Sequence, residues 1–233
     1  MPGGTIAALR QHKHAVLLGL LLVALAIETI NAHGAHGFRT DAFRTILGLA
    51  TWFIAFNRPR ERVVMGAVLV VTMAISWGRY FTPGGLDHPL SLANQTAQAV
   101  FLWGAVCVIL RDLFRTPVAG AENVLGAICG YMIAGDAWAR MNAIAYLVVP
   151  SSYSIAPEVT ALLHDWHGRV ALFTYYAFAQ MLTIGYADVT PVRAPATTLS
   201  LFATLFGVFY TAIVVSQFVG LAQSGQRQPL DTE

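Results

Sequence analysis

The chain has 233 residues, 56% of them hydrophobic and only 11% charged, with a formal net charge of +2 and a mean hydropathy of +0.60. So few charges cannot coat a globular surface, which excludes an ordinary soluble protein and leaves an all-α integral membrane protein. The charges cluster at the ends of apolar runs instead of along one basic face, so a nucleic-acid partner is excluded and the lipid bilayer is the expected surrounding.

A spanning helix needs about 20 mostly apolar residues. The first candidate, Ala15 to Ile30, follows "RQHKH" and has the basic start of a secretory signal, but "ETINAH" lacks the small residues of a cleavage site, so a retained helix is expected. Glu28, near the outer end of this helix, is expected at the membrane interface. Next come Thr45 to Phe56 with its flanks, Val63 to Tyr80, and Leu92 to Leu110. In the last of these Asn94, Gln95 and Gln98 form a polar face suited to interhelical hydrogen bonds, and no arginine is present, which argues against voltage sensing by moving charges. Val124 to Val149 carries Asp136 and Arg140, four residues apart on one helical face; they are expected to pair inside the membrane, either simply to tolerate burial or to support a pore or sense protons. Val170 to Tyr186 carries no charge and is of ambiguous length, and Thr198 to Leu221 is the last apolar run. Cys107 and Cys129 fall inside apolar segments, where free cysteine behaves as a small hydrophobe.

Loop charges set an orientation. Arg10 and Lys13, then Arg58, Arg60 and Arg62, then Arg111 and Arg115 occupy every second connection, whereas "FTPGGLDHPLS" has no Lys or Arg; Arg39 and Arg44 depart from the pattern. Basic loops stay cytoplasmic, so both termini are expected there if six segments cross and the seventh turns back. The loop "RTPVAGAEN" around Pro117 divides a four-helix region, 1–117, from a second unit, 118–233. The tail "AQSGQRQPLDTE" is too short to fold alone, so no soluble ligand-binding domain is expected. Arginine in excess of lysine and abundant alanine suggest a bacterial inner membrane.

Between the seventh run and the last lies "YYAFAQMLTIGYADVTP". It resembles the pore helix and filter of potassium channels, whose pattern is Thr-Val-Gly-Tyr-Gly-Asp followed by a proline. The resemblance spans about Ala121 to Leu221 and is specific at Thr183, Gly185, Tyr186, Asp188 and Pro191. It implies a pore domain over 118–233 made of outer helix, pore helix, filter loop, inner helix and short cytoplasmic tail, with the filter at Thr183, Ile184, Gly185, Tyr186, Ala187 and Asp188. It also implies six transmembrane helices plus a re-entrant pore helix, and one loop per chain implies a homotetramer with cyclic symmetry.

The residue types also make sense on their own. A filter strips water from a cation, so a ring of oxygens must replace the hydration shell. Backbone carbonyls carry a dipole but no charge, so the ion can leave again. Thr183 adds a hydroxyl, and Gly185 lets successive carbonyls point one way because only glycine visits both signs of φ cheaply. Val170 to Leu182 as a helix would be about 20 Å long, too short to cross, and its C-terminal dipole would favour cations. Tyr186 and the aromatics of "FTYY" are expected to pack around the loop. One departure matters: Ala187 stands where the family has its second glycine, and a β-carbon in a left-handed conformation costs roughly 1–2 kcal/mol per residue. The ring from Thr183, Ile184 and Gly185 is expected to survive while the outermost site is distorted. Gly207, near the middle of the last helix, is either a gating hinge or a close-packing position.

Two histidine pairs, His33 with His36 and His164 with His167, are weak candidates for a metal site, the second pair with Asp165, or for pH sensing. No nucleophile and base pair, phosphate loop or full metal triad is present, so no enzymatic reaction and no cofactor are expected. The sequence reads as a tetrameric cation channel with potassium or another monovalent cation as permeant ion. The alternatives are a non-conducting scaffold or sensor with a pore-domain fold, and after it a membrane metalloprotein.

Overall fold

The computed structural model describes residues 13–31, 37–81, 87–115, 121–185 and 188–226. Within them the chain forms α1 (Lys13–Asn31), α2 (Gly37–Ala55), α3 (Pro59–Gly78), α4 (Asp87–Arg115), α5 (Ala121–Val148), α6 (Trp166–Met181) and α7 (Ala194–Gln226). Short 3₁₀ turns sit at Arg79–Phe81, Pro150–Ser152 and Pro157–Leu163, and two three-residue strands, β1 (Tyr153–Ile155) and β2 (Val189–Pro191), pair antiparallel. This is an all-α membrane protein. Among the described residues, Pro59–Phe81, His88–Arg115 and Ala194–Ser216 are long and apolar enough to cross a bilayer by length and composition.

Local chemistry explains several boundaries. Pro59 opens α3, where its missing N–H is no loss and its fixed φ already suits a helix. Asp165 caps α6, its carboxylate accepting from the N–H groups of His167 at 3.0 Å and Gly168 at 3.1 Å. That cap corrects the expected start of this helix: it begins at Trp166 rather than Val170, because Arg169 ends the apolar run without ending the helix. Likewise α2 begins at Gly37 rather than Thr45, which places Arg39 and Arg44 on a helix instead of in a loop.

The helix α5 is the hub, packing on α1, α4, α6 and α7. One apolar core runs from Leu17 of α1 through Phe56, Phe101 of α4 and Ile133 of α5 to Met181 of α6 and Ala203 of α7. Helices α1 and α4 therefore pack directly on the C-terminal unit, and α3 joins it through α4. Small residues on α5 allow the close approach: a methyl built on Gly130 would lie 2.6 Å from the Tyr210 hydroxyl, and one on Gly135 would overlap the Phe178 ring.

The polar contacts gather at two ends. At one, Arg62 lies over the rings of Trp52 and Phe53, both at 5.1 Å, Arg111 pairs with Glu61 at 2.5 Å, and His14 with Glu122 at 3.1 Å. At the other, Asp41, Arg79, Tyr80 and His167 converge. The basic loops belong to the first end.

Candidate functional site

The helix α6 has 16 residues, about 24 Å, too short for the roughly 30 Å of hydrocarbon in a bilayer. Its flanking strands decide its path. The strand before α6 and the strand after the loop lie side by side, with Ile155 opposite Val189 and Tyr153 opposite Pro191, and the Ala156 N–H donates to the Asp188 carbonyl at 2.8 Å. The excursion from 156 to 188 thus leaves and returns at one level. The helix and its loop form a hairpin between the two strands, and non-helical backbone is tolerated at membrane depth only where protein buries it or it lines a watered path.

At the inner tip the helix closes on its own carbonyls. Leu182 N–H donates to Phe178 at 2.9 Å, Thr183 N–H to Gln180 at 3.0 Å, and Ile184 N–H to Ala179 at 2.9 Å. Thr183, left-handed at φ +57°, is the residue that closes this cap, with its own N–H and that of Ile184 both donating back into the last turn. Gly185 follows with φ +68°, and its N–H lies 3.5 Å from the same Ala179 carbonyl. Thr183 is the one non-glycine residue with positive φ among the described residues, a strain of roughly 1–2 kcal/mol. Such strain persists where surrounding structure enforces it, commonly at functional sites. Residues 182–185 are exposed in the single subunit, Ile184 at 50%. Tyr186 and Ala187 lie outside the described residues, and with them the expected distortion of the outermost site.

The four residues of "FTYY" point four ways. Phe173 is fully buried against Tyr153 and Tyr146, with ring centroids at 5.3 Å and 5.6 Å. Tyr176 stacks on Tyr153 and its hydroxyl meets Ser200 of α7 at 2.6 Å. Tyr175 alone reaches the loop, donating to Asp188 at 3.3 Å, which ties its outer end to α6. Thr174 donates to Glu28 of α1 at 3.3 Å. The expectation that these aromatics surround the loop therefore holds for Tyr175, whereas Phe173 and Tyr176 fix the helix to its own subunit. Burial, then the neighbouring Tyr176, pushes the Tyr153 phenol up, so it stays protonated and donates to Asn142 at 2.7 Å.

Asp136 and Arg140 do pair, at 2.6 Å, within a larger network. Glu28 accepts from Arg44 Nε at 2.9 Å and Nη2 at 2.8 Å, and lies 3.9 Å from Arg140. Glu28 is buried among the helices, with Arg44 of α2 as its counter-charge. This pairing also explains why Arg44 departs from the loop-charge pattern. Beside the network lies a cavity of about 80 Å³ lined by Glu28, Arg44, Asp136 and Arg140, and Nε and Nη1 of Arg140 have no protein partner. Asn94 meets Ser76 of α3 at 3.1 Å, the interhelical bond expected of that polar face, while Gln95 is buried and Gln98 lines the cavity.

Gly207 lies against the C-terminal end of α6, where an added methyl would overlap the Met181 carbonyl oxygen. Close packing accounts for it, and a hinge role would need motion at this same contact. Gly207→Ala is expected to destabilise the fold by about 1–3 kcal/mol, since backbone has to move; a thermal melt of the purified protein checks it.

His33 and His36 lie outside the described residues. His164 is exposed, Asp165 is engaged as a helix cap, and His167 turns away toward Asp41 and Arg79, at 3.2 Å and 2.9 Å. His164, Asp165 and His167 are therefore not a ligand set, and among the described residues no group of three or more His, Cys, Asp or Glu side chains gathers to hold a metal.

A protein-family model described as ion channel matches residues 159–224, from the turn before α6 through the loop and most of α7. The curated proteins and the solved structures yield no match. The match covers α6, the loop and most of α7, and includes none of α1 to α5.

Proposed function

We propose that four copies of this chain form a cation channel of the potassium-channel type, with the carbonyls of Thr183, Ile184 and Gly185 lining a filter on the symmetry axis. The carrying observation is the hairpin that α6 and its loop make between two paired strands, largely inside the segment that matches the ion-channel family model. Exposure of the loop supports assembly, because an ion-coordinating ring needs other copies opposite it. The helix α7 offers a further apolar surface, with Leu201, Phe202 and Phe209 all more than half exposed. The unit 118–233 then supplies the pore, and 1–117 a buttress around it. Both termini lie in the cytoplasm of a bacterial inner membrane, with six helices crossing; the internal pairing of Arg44 and Arg140 with Glu28 and Asp136 lets α2 and α5 cross with charges aboard. No enzymatic step belongs to this reading.

Purified protein in liposomes under a potassium gradient is expected to pass potassium or another monovalent cation. Absence of flux across varied pH and voltage overturns it. The second reading, a closed relative, rests on Ala187: if a filter needs a left-handed backbone at this residue, its methyl is disfavoured by roughly 1–2 kcal/mol per copy. Ala187→Gly separates the two. Flux appearing only in the variant supports the closed relative, whereas flux in both with a shifted ion preference supports the channel.

A further inference from the structure

We propose that His167 is a proton-operated latch on the N-terminal end of α6, so that conduction through the loop at the other end of this helix depends on the pH bathing the Asp41–Arg79 cluster. This rests on the channel reading and adds its regulation.

The geometry at one atom carries it. His167 Nε2 lies 2.9 Å from Arg79 Nη2 and 3.2 Å from Asp41 Oδ1. A guanidinium only donates and a carboxylate only accepts. One ring nitrogen cannot satisfy both. With its lone pair free, Nε2 accepts from Arg79; with a proton, it donates to Asp41 and sets an N–H against the N–H of Arg79. Gaining a proton therefore moves the α6 terminus from a partner in the turn after α3 to a partner in α2.

The surroundings make the exchange consequential. Arg79 is held independently, with Nη2 2.6 Å from Asp41 Oδ2 and its guanidinium 4.6 Å from the Trp166 ring. Tyr80 also donates to Asp41, at 2.8 Å. On the helix itself, Asp165 Oδ2 lies 3.8 Å from His167 Nδ1, and the ring sits in the first turn of α6. Among the described residues, His88, Tyr146, His164 and Arg169 line the adjoining cavity of about 530 Å³ together with Arg79 and Asp165. The imidazole is admitted by Gly37, where a methyl would lie 2.7 Å from His167 Cε1. Because α6 is one continuous helix from Trp166 to Met181, a shift at its first turn is felt at the capped tip that presents Thr183.

Two measurements on the full chain test this. Histidine titrates between about pH 5 and 8, and acidifying the His167 side over that range is expected to lower cation flux by roughly fivefold or more, the usual scale of coupling between sites. In His167→Gln, whose carboxamide can accept from Arg79 at every pH, the response is expected to vanish, while His164→Gln keeps it. Nitrogen-15 spectra of the histidines in the wild-type protein are expected to show His167 in the Nδ1–H tautomer at alkaline pH, with its Nε2 gaining a proton as pH falls. An Nε2–H tautomer at alkaline pH overturns the latch, as does an unchanged pH response in His167→Gln. Should the wild-type protein pass no cation at any pH, the channel reading falls, and the spectra then decide the latch without it.

Discussion

Alanine in place of Gly185 is expected to abolish cation flux in a protein that still folds. An added methyl here would meet nothing within 4 Å, so the substitution does not crowd a neighbour. Its effect is on the backbone alone, which holds φ at +68°. An L side chain in that conformation costs roughly 1–2 kcal/mol, and in the proposed tetramer four copies would multiply it to about 4–8 kcal/mol. That equals much of the marginal stability of an ordinary domain. The cheaper escape is a peptide rotation, which takes one carbonyl per chain out of the ring. Liposome flux and a melting curve, measured on the same preparation, separate the outcomes: loss of flux with the transition temperature held within a few degrees is the expected result. Ile184→Val, at the intervening residue of negative φ, is expected to conduct. Selective flux retained in Gly185→Ala would show that these carbonyls do not line the path.

Thr183 sharpens this point, because it bears the same strain with a threonine. It keeps a hydroxyl at the inner end and is pinned by the hydrogen bond of its N–H to Gln180. Gly185 is held more loosely, its N–H 3.5 Å from the Ala179 carbonyl, so its backbone relaxes more readily once a methyl disfavours its φ.

The parts of this molecule legible in the sequence are those set by local patterning. Each apolar run became a helix within about two turns of its expected ends, since a bilayer-length stretch of apolar residues has few other ways to satisfy its backbone. The re-entrant excursion was readable because a short apolar run stood before residues that do not continue a helix. The start of α6 was readable in part: Asp165 is a capping residue, but the charge of Arg169 drew the boundary too late. What escaped was every contact between distant positions. His167 meets Asp41 across 126 residues, and Thr174 meets Glu28 across 146, and no periodicity relates such pairs. One clue did exist. Arg44 broke the loop-charge rule and Glu28 lay in the preceding apolar run, and two charges that each look misplaced in neighbouring helices are best explained by each other.

That pairing leads to the largest expected effect on stability. Glu28→Leu is expected to destabilise the protein by about 3–5 kcal/mol, the cost of leaving a buried charge without its partner. Arg44 is 14% exposed and Arg140 only 2%, so neither can recover its loss in water or lipid headgroups. Asp136 already serves Arg140 at 2.6 Å and cannot neutralise both guanidinium groups. The Thr174 hydroxyl loses its acceptor as well, which loosens α6 from α1. Removing both charges should hurt less than removing one: Glu28→Leu with Arg44→Met replaces the ion pair by apolar groups of similar volume, an exchange that is often neutral or stabilising. Denaturant titration of the single and double variants in detergent measures the difference. If the single variant costs less than about 1 kcal/mol, the value of an exposed pair, then Glu28 is solvated rather than buried and the first four helices are not anchored to the pore helix through it.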